Sequence, residues 1–206
     1  MSSIKFPHAS GNSMSIAAPA SNPASDLTLT LPTTIGSNGQ YMKVDGSGNL
    51  GWGSDAGKIL QVVSVADTAA AVTGNTTPTD TGLDASITPT SSSSKILVHV
   101  CGQTGHYRDY SGQGNGVTIV RTVSSSDTTV FEANDDRLFY FDNGQMVGTN
   151  VRMMFSAMFE DSPDTTDPCT YKVQIHVYIS SNGGQAYWNH TGSNGKGFIT
   201  LMEVAG

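Results

Sequence analysis

The sequence predicts an all-β protein: an extended N-terminal arm and a short strand-and-hairpin segment, followed by an antiparallel, jelly-roll-like β-sandwich. Three observations predict it. Apolar and β-branched residues come in short bursts that alternate with a period of two, and Gly, Pro, Asn, Asp and Ser cluster between the bursts as turns do. No segment keeps a helical period for any length. Only 13% of the 206 residues are charged, and Val, Ile and Thr are plentiful, so the many polar residues read as turns rather than as disorder.

Residues 1–24 are rich in Ser, Ala, Asn and Pro, with Ile4, Phe6, Met14 and Ile16 as isolated apolar points. Pro7, Pro19 and Pro23 interrupt any regular run, which predicts an arm that orders against a partner. Residues 25–57 form a second segment. Leu and Thr alternate strictly over 26–31, the pattern of a half-buried strand, and Pro32 ends it. Residues 40–44 and 49–52 then read as a hairpin closed around Asp45, Gly46, Ser47 and Gly48. Strands so short, with one apolar face, need a cover from elsewhere.

From residue 58 the texture changes, and 58–206 carries about nine strand patterns. They fall at 59–65, 83–87, 95–100, 117–123, 128–133, 137–141, 151–160, 171–179 and 197–204. Ile96, Val98 and Val100 share one face of the clearest of them. Residues 102–116 read as a glycine-rich loop, and 180–196 as a polar loop. Strand 151–160 has Val151, Met153, Phe155, Ala157 and Phe159 on one face and Met154 and Met158 on the other. Apolar residues on both faces predict a second covered surface, most simply a subunit interface.

The formal net charge of −7 argues against phosphate neutralisation, so no nucleic-acid partner is expected. No apolar run is long enough to span a bilayer, and the N-terminus lacks the apolar core of a secretory signal. Cys101 and Cys169 lie where pairing is geometrically possible, but two separate thiols are the expectation. His8, His99, His106, His176 and His190 form no metal-ligand spacing, and His99 and His176 are expected to face away from the core. The acidic pairs Asp135-Asp136 and Glu160-Asp161 read as solvated turns rather than a glycosidase pair. No nucleophile motif or phosphate loop is present. The expectation is therefore a protein that is not an enzyme, with no catalytic residue, no cofactor and no metal.

The binding candidates are aromatic residues expected to be exposed on loops: Tyr187 and Trp188 beside His190, and Tyr107 and Tyr110. Such rings with neighbouring amides suit sugar faces or protein partners. The competing reading is that they pack over the end of the sandwich or against a neighbouring subunit.

With these segments laid out, the chain resembles small fibre or decoration proteins of tailed bacteriophages, marine and cyanobacterial phages in particular. The resemblance rests on IAAPASNPASDLTLTLPTTIGSNGQYMKVDGSGNLGWG (16–53), KILQVV (58–63), LDASITPTSSSSKILV (83–98), YKVQIHVY (171–178) and FITLMEVAG (198–206). It implies a homotrimer on the virion, with 1–24 anchoring on another virion protein of capsid or tail and the tip domain 58–206 pointing outward. Residues 25–57 would intertwine the chains. The shortness of the chain favours a short fibre or decoration protein over a long tail fibre. The alternative is a lectin-like receptor-binding module for host-surface glycans.

Overall fold

The structure, a computed structural model, describes residues 3–17, 19–21, 23–54, 57–67, 70–108, 112–133, 138–141, 149–180, 183–189 and 196–206. The chain divides into two compact units, Met1–Asp55 and Ala56–Gly206.

In the first unit, β1 (Ser3–Pro7) and β2 (Ser13–Ala17) form an antiparallel ribbon with Ile4 opposite Ile16 and Phe6 opposite Met14. The expected extended arm is thus a hairpin over these residues. His8 N–H donates to Asn12 O at 2.8 Å, and Gly11 supplies the positive φ of the turn. Each strand contributes only two large apolar residues, too few for a visible period. The second hairpin, β3 (Tyr41–Val44) with β4 (Leu50–Gly53), forms as predicted. Its turn is organised by the Asp45 carboxylate, which accepts from the N–H groups of Ser47 (2.9 Å) and Asn49 (3.0 Å) and from Asn49 Nδ2 (2.9 Å). Hydrogen bonding to Asn49 and Ser47 holds that carboxyl below its ordinary value. Trp52 donates its indole N–H to Thr34 O at 2.9 Å and lies against Gly36, where a Cβ would stand 2.6 Å from the ring.

The strand expected over 26–31 does not form. Thr30 alone makes a parallel bridge to Asn49, through Thr30 N–H to Gly48 O (3.0 Å) and Leu50 N–H to Thr30 O (2.7 Å). The period of two is present, but a strand exists only where a second strand supplies its ladder. Leu27, Leu29 and Leu31 consequently stay 65–76% exposed.

The second unit is built from β5 (Ile59–Asp67), β6 (Ala71–Thr73), β7 (Thr79–Ile87), β8 (Lys95–Arg108), β9 (Gln113–Val123), β10 (Ser126–Glu132), β11 (Phe139–Phe141), β12 (Thr149–Asp161), β13 (Cys169–Val177), β14 (Gln185–Trp188) and β15 (Gly197–Val204). One sheet runs β5-β15-β8, with β12 on the far side of β8, and β14 and β6 extend it beside the second half of β8. The other runs β10-β9-β13-β7, with β11 also on β9. Count only the eight principal strands in chain order. The first then pairs the last, which pairs the third, which pairs the sixth; the other sheet takes the second, seventh, fourth and fifth. That is the strand order of a jelly roll, two Greek keys closed into a sandwich.

The core lies between the sheets. Ile96, Val98 and Val100 of β8 meet Ile119 of β9 and Val173 and Ile175 of β13, with Ile199 and Leu201 of β15, and all are fully buried. Burying one such side chain stabilises the fold by roughly 1.5–3 kcal/mol. One end of the sandwich is tied across the sheets. Arg121 on β9 holds both carboxylate oxygens of Asp161 at the end of β12 (2.7 and 2.6 Å), and Tyr171 on β13 donates its hydroxyl to the same carboxylate at 2.7 Å. Burial, then the Asp161 contact, pushes the Tyr171 hydroxyl far above its ordinary value.

Two expected loops are largely strand. Residues 102–108 continue β8, and 113–116 open β9, because Gly102 and Gly105 are places of close approach rather than turns. A Cβ on Gly105 would lie 2.6 Å from Val151 O. The polar stretch 180–196 likewise contains β14. His176 alternates as expected with Ile175 and Val177, yet it is buried rather than solvated. Cys101 and Cys169 stand in different sheets, and both are free thiols.

Candidate interaction surfaces

The five predicted contact residues separate. Trp188 is not an exposed loop ring: it ends β14 and is fully buried, edge-on to Phe155 with ring centroids 6.2 Å apart. It lies across Gly102 of the neighbouring strand, where any Cβ would overlap its ring, and beside Gly197. Tyr187, one residue earlier, points to the opposite face, as strand geometry requires. It is 7% exposed and donates its hydroxyl to Gln185 Oε1 at 3.1 Å. Burial, and secondarily Tyr107, raise its hydroxyl above the ordinary value.

Tyr107 is on β8, half-buried and directly across from Gln185, and Tyr187 is directly across from Gly105. Tyr107, Gln185 and Tyr187 therefore share the outer face of the first sheet. Arg152 joins them from β12, since it too pairs with Gly105. Tyr110 and His190 lie outside the described residues. Tyr107 and Tyr187 read as exposed loop residues because the glycines around them imitate a loop, but both sit on strands and Tyr187 is buried.

The larger surface is the rest of that outer face. Cross-strand register sets Val62, Met202, Leu97 and Glu160 in one row, Ser64, Thr200, His99 and Met158 in the next, and Ala66, Phe198, Cys101 and Ser156 in a third. Val62 is 57% exposed, Met158 58% and Phe198 44%, with Met154 at 63% beyond them. The polar middle is tied internally: Ser64 Oγ and Thr200 Oγ1 are 3.0 Å apart, and Ser156 Oγ and a His99 ring nitrogen 3.4 Å. Exposed apolar patches of this kind commonly mark contact surfaces. Apolar side chains on both faces of β12 were legible in sequence, and the register shows what they join.

No comparable site for a small molecule appears among the described residues. A shallow cleft of about 90 Å³ opens at the β7–β13 bulge, lined by Asp80, Gly82, Leu83, Asp84, Lys172 and Val173. It has room for a few waters at about 30 Å³ each. Among the described residues no three of His, Cys, Asp and Glu gather as metal ligands. At the other extreme of burial, Glu203 is a fully enclosed carboxylate that accepts from Gln61 Nε2 (2.6 Å), Thr90 N–H (2.6 Å) and Thr90 Oγ1 (2.7 Å). Burial alone would raise its carboxyl, but these hydrogen bonds outweigh burial and hold it below the ordinary value. No helix among the described residues is long and apolar enough to cross a membrane.

No family model matches the chain, and no curated protein does. Among solved structures, the VP2 subviral particle of infectious bursal disease virus is similar at 16% identity and a TM-score of 0.35, over 76% of this chain and 40% of that one. The Gx strain of the same virus gives 16% and 0.35 over 76% and 39%, and the Gt strain 15% and 0.32 over 97% and 46%. The chain spans less than half the length of these proteins. Likeness at this level carries no argument about function, and the jelly roll stands on its own strand order. The expected membership among tailed-bacteriophage fibres is corrected: the similar structures are particles of infectious bursal disease virus, and no family model ties the chain to phage or tail-fibre proteins.

Proposed function

We propose that this chain is a structural subunit of a virion, a homo-oligomer that works by assembly rather than by chemistry. One observation carries the reading. The first unit has almost no core, yet it holds an orderly apolar stripe: Leu27, Leu29, Leu31 and Ile35 are 65–96% exposed. Burying such side chains between copies supplies roughly 1.5–3 kcal/mol each. The virion role follows by analogy of fold, since jelly rolls recur in viral coats and also in lectins. The stripe joins three chains through Met1–Asp55, and the ribbon β1–β2, with Ile4, Phe6 and Ile16 half or more exposed, docks on another virion protein.

The solution mass tests this. The full chain should have the mass of three copies or a multiple of three, and a chain starting at Lys58 should lose that stoichiometry. A monomeric full chain sinks the reading.

A second reading, a lectin-like module for cell-surface glycans, is favoured by Tyr107, Tyr187 and Gln185 sharing one face. It predicts that Tyr107→Ala abolishes binding to cells while leaving the oligomer intact. Trp188→Ala would report on folding instead, since that ring is in the core.

A further inference from the structure

The strand β12 forms an edge without the usual protections. It pairs with β8 through thirteen consecutive positions, Thr149 to Asp161, with no register shift, and pairs with no other strand among the described residues. Natural edges are blunted by Lys, Pro, bulges or brevity. Here the seven residues Met153–Phe159 (MMFSAMF) carry no charge, no Pro and no bulge. Unpaired N–H and C=O groups along such a strand template another one.

We infer that the β12 edge pairs antiparallel with β12 of a second copy about a two-fold axis at Ser156, fusing the two sheets into one. The sequence of the strand selects this occupant and this register. With Ser156 opposite itself, Arg152 faces Glu160 of the other copy, and by symmetry Glu160 faces Arg152, so both charges on the exposed face are matched twice. Met154 then lies against Met158 on the same outer face. On the inner face Met153 meets Phe159 and Phe155 meets Ala157, which covers Met153 and the half-exposed Phe159. Sliding by two residues sets Arg152 against Met158 or Ser162 and loses both charge pairs. Sliding by one turns inner-face residues toward outer-face ones. The matched stretch Arg152–Glu160 is about 30 Å long at roughly 3.4 Å per residue. It is an isologous contact, and it lies wholly within the second unit. It is therefore additional to the association assigned to the first unit, and it gives three-fold oligomers a way to join one another.

The full-length chain tests it in two ways. Arg152→Glu places like charges opposite each other twice and should weaken self-association about tenfold or more, as should Glu160→Arg. The double variant Arg152→Glu/Glu160→Arg restores both pairs and should return it to within about threefold. Independently, Ser156→Cys in a Cys101→Ser background should oxidise to a covalent dimer, because paired Cα atoms across strands lie about 4.5–5.5 Å apart, within disulfide reach. The background change is needed because Cys101 is directly across from Ser156 within the same sheet. A double variant no better than the single ones, or a Ser156→Cys chain that stays unlinked, overturns the two-fold edge. A chain that is unlinked yet of three-copy mass overturns it while leaving the proposed oligomer standing. Oxidative capture of Ser156→Cys by Leu29→Cys of another copy, in place of itself, would show the edge filled by the Leu/Thr segment instead.

Discussion

At the scale of single residues, the interior of the sandwich depends on close fits that the residue types alone do not announce. Gly102 faces the Trp188 ring so closely that a methyl group cannot be placed there without moving it. Gly102→Ala should therefore cost about 1–3 kcal/mol despite its conservative appearance, seen as a lower denaturation midpoint with unchanged slope. Glu203 behaves in the opposite sense, as a buried charge that is stabilising because three donors converge on it. Its carboxyl is held below the unfolded value of about 4.5, so its contribution is fully present above that pH. The contribution is lost as pH falls through the lower folded value. Thermal unfolding of the natural chain should thus fall more steeply below about pH 4.5 than that of Glu203→Gln.

Among elements, the β9–β10 hairpin shows strand pairing imposing a turn geometry that its residues do not favour. Its two turn residues, Ser124 and Ser125, both adopt positive φ, 48° and 68°, the geometry of a two-residue turn that matches strand twist. Serine tolerates this poorly, whereas Asn-Gly suits it. The substitution Ser124→Asn with Ser125→Gly should raise stability by about 0.5–1 kcal/mol, read as a higher melting temperature. Most strands of 58–206 were visible from period two and the turns between them, including 197–204 with its full extent. The failures share a cause. Glycines in 102–116 read as loop signals, although in β8 they clear space for Trp188 and the β12 backbone. Conversely, Leu and Thr alternate faultlessly over 26–31, but among the described residues only the Thr30–Asn49 bridge pairs them, which does not make a strand.

For the molecule as a whole, the distribution of apolar surface divides the labour. Among the described residues, the second unit buries an extensive core and exposes an apolar sheet face, whereas the first exposes nearly every large apolar side chain. If the proposed three-copy oligomer forms, Leu29→Asp should dissolve it while shifting the sandwich's own unfolding by less than about 0.5 kcal/mol, since Leu29 is 65% exposed. Sedimentation and thermal unfolding of the same sample would separate the two effects. Of the candidate contact residues, Tyr107 and Tyr187 lie on strands rather than on the exposed loops expected of them, and Trp188 is in the core for a simple reason. Adjacent strand residues point to opposite sides, so Tyr187 and Trp188 cannot both face outward.

The sequence by itself determined that this chain is all-β, where most strands of its sandwich lie, and that the strand over 151–160 carries apolar residues on both faces. Those properties are local, since period and turn chemistry are written within a few residues. Only the tertiary structure decided the jelly-roll order of the strands, the burial of Trp188, His176 and Glu203, and the position of β12 at a sheet edge with β8 as its one partner among the described residues. Each depends on which distant strand lies alongside, and a single strand's pattern records that it has a neighbour without recording which one.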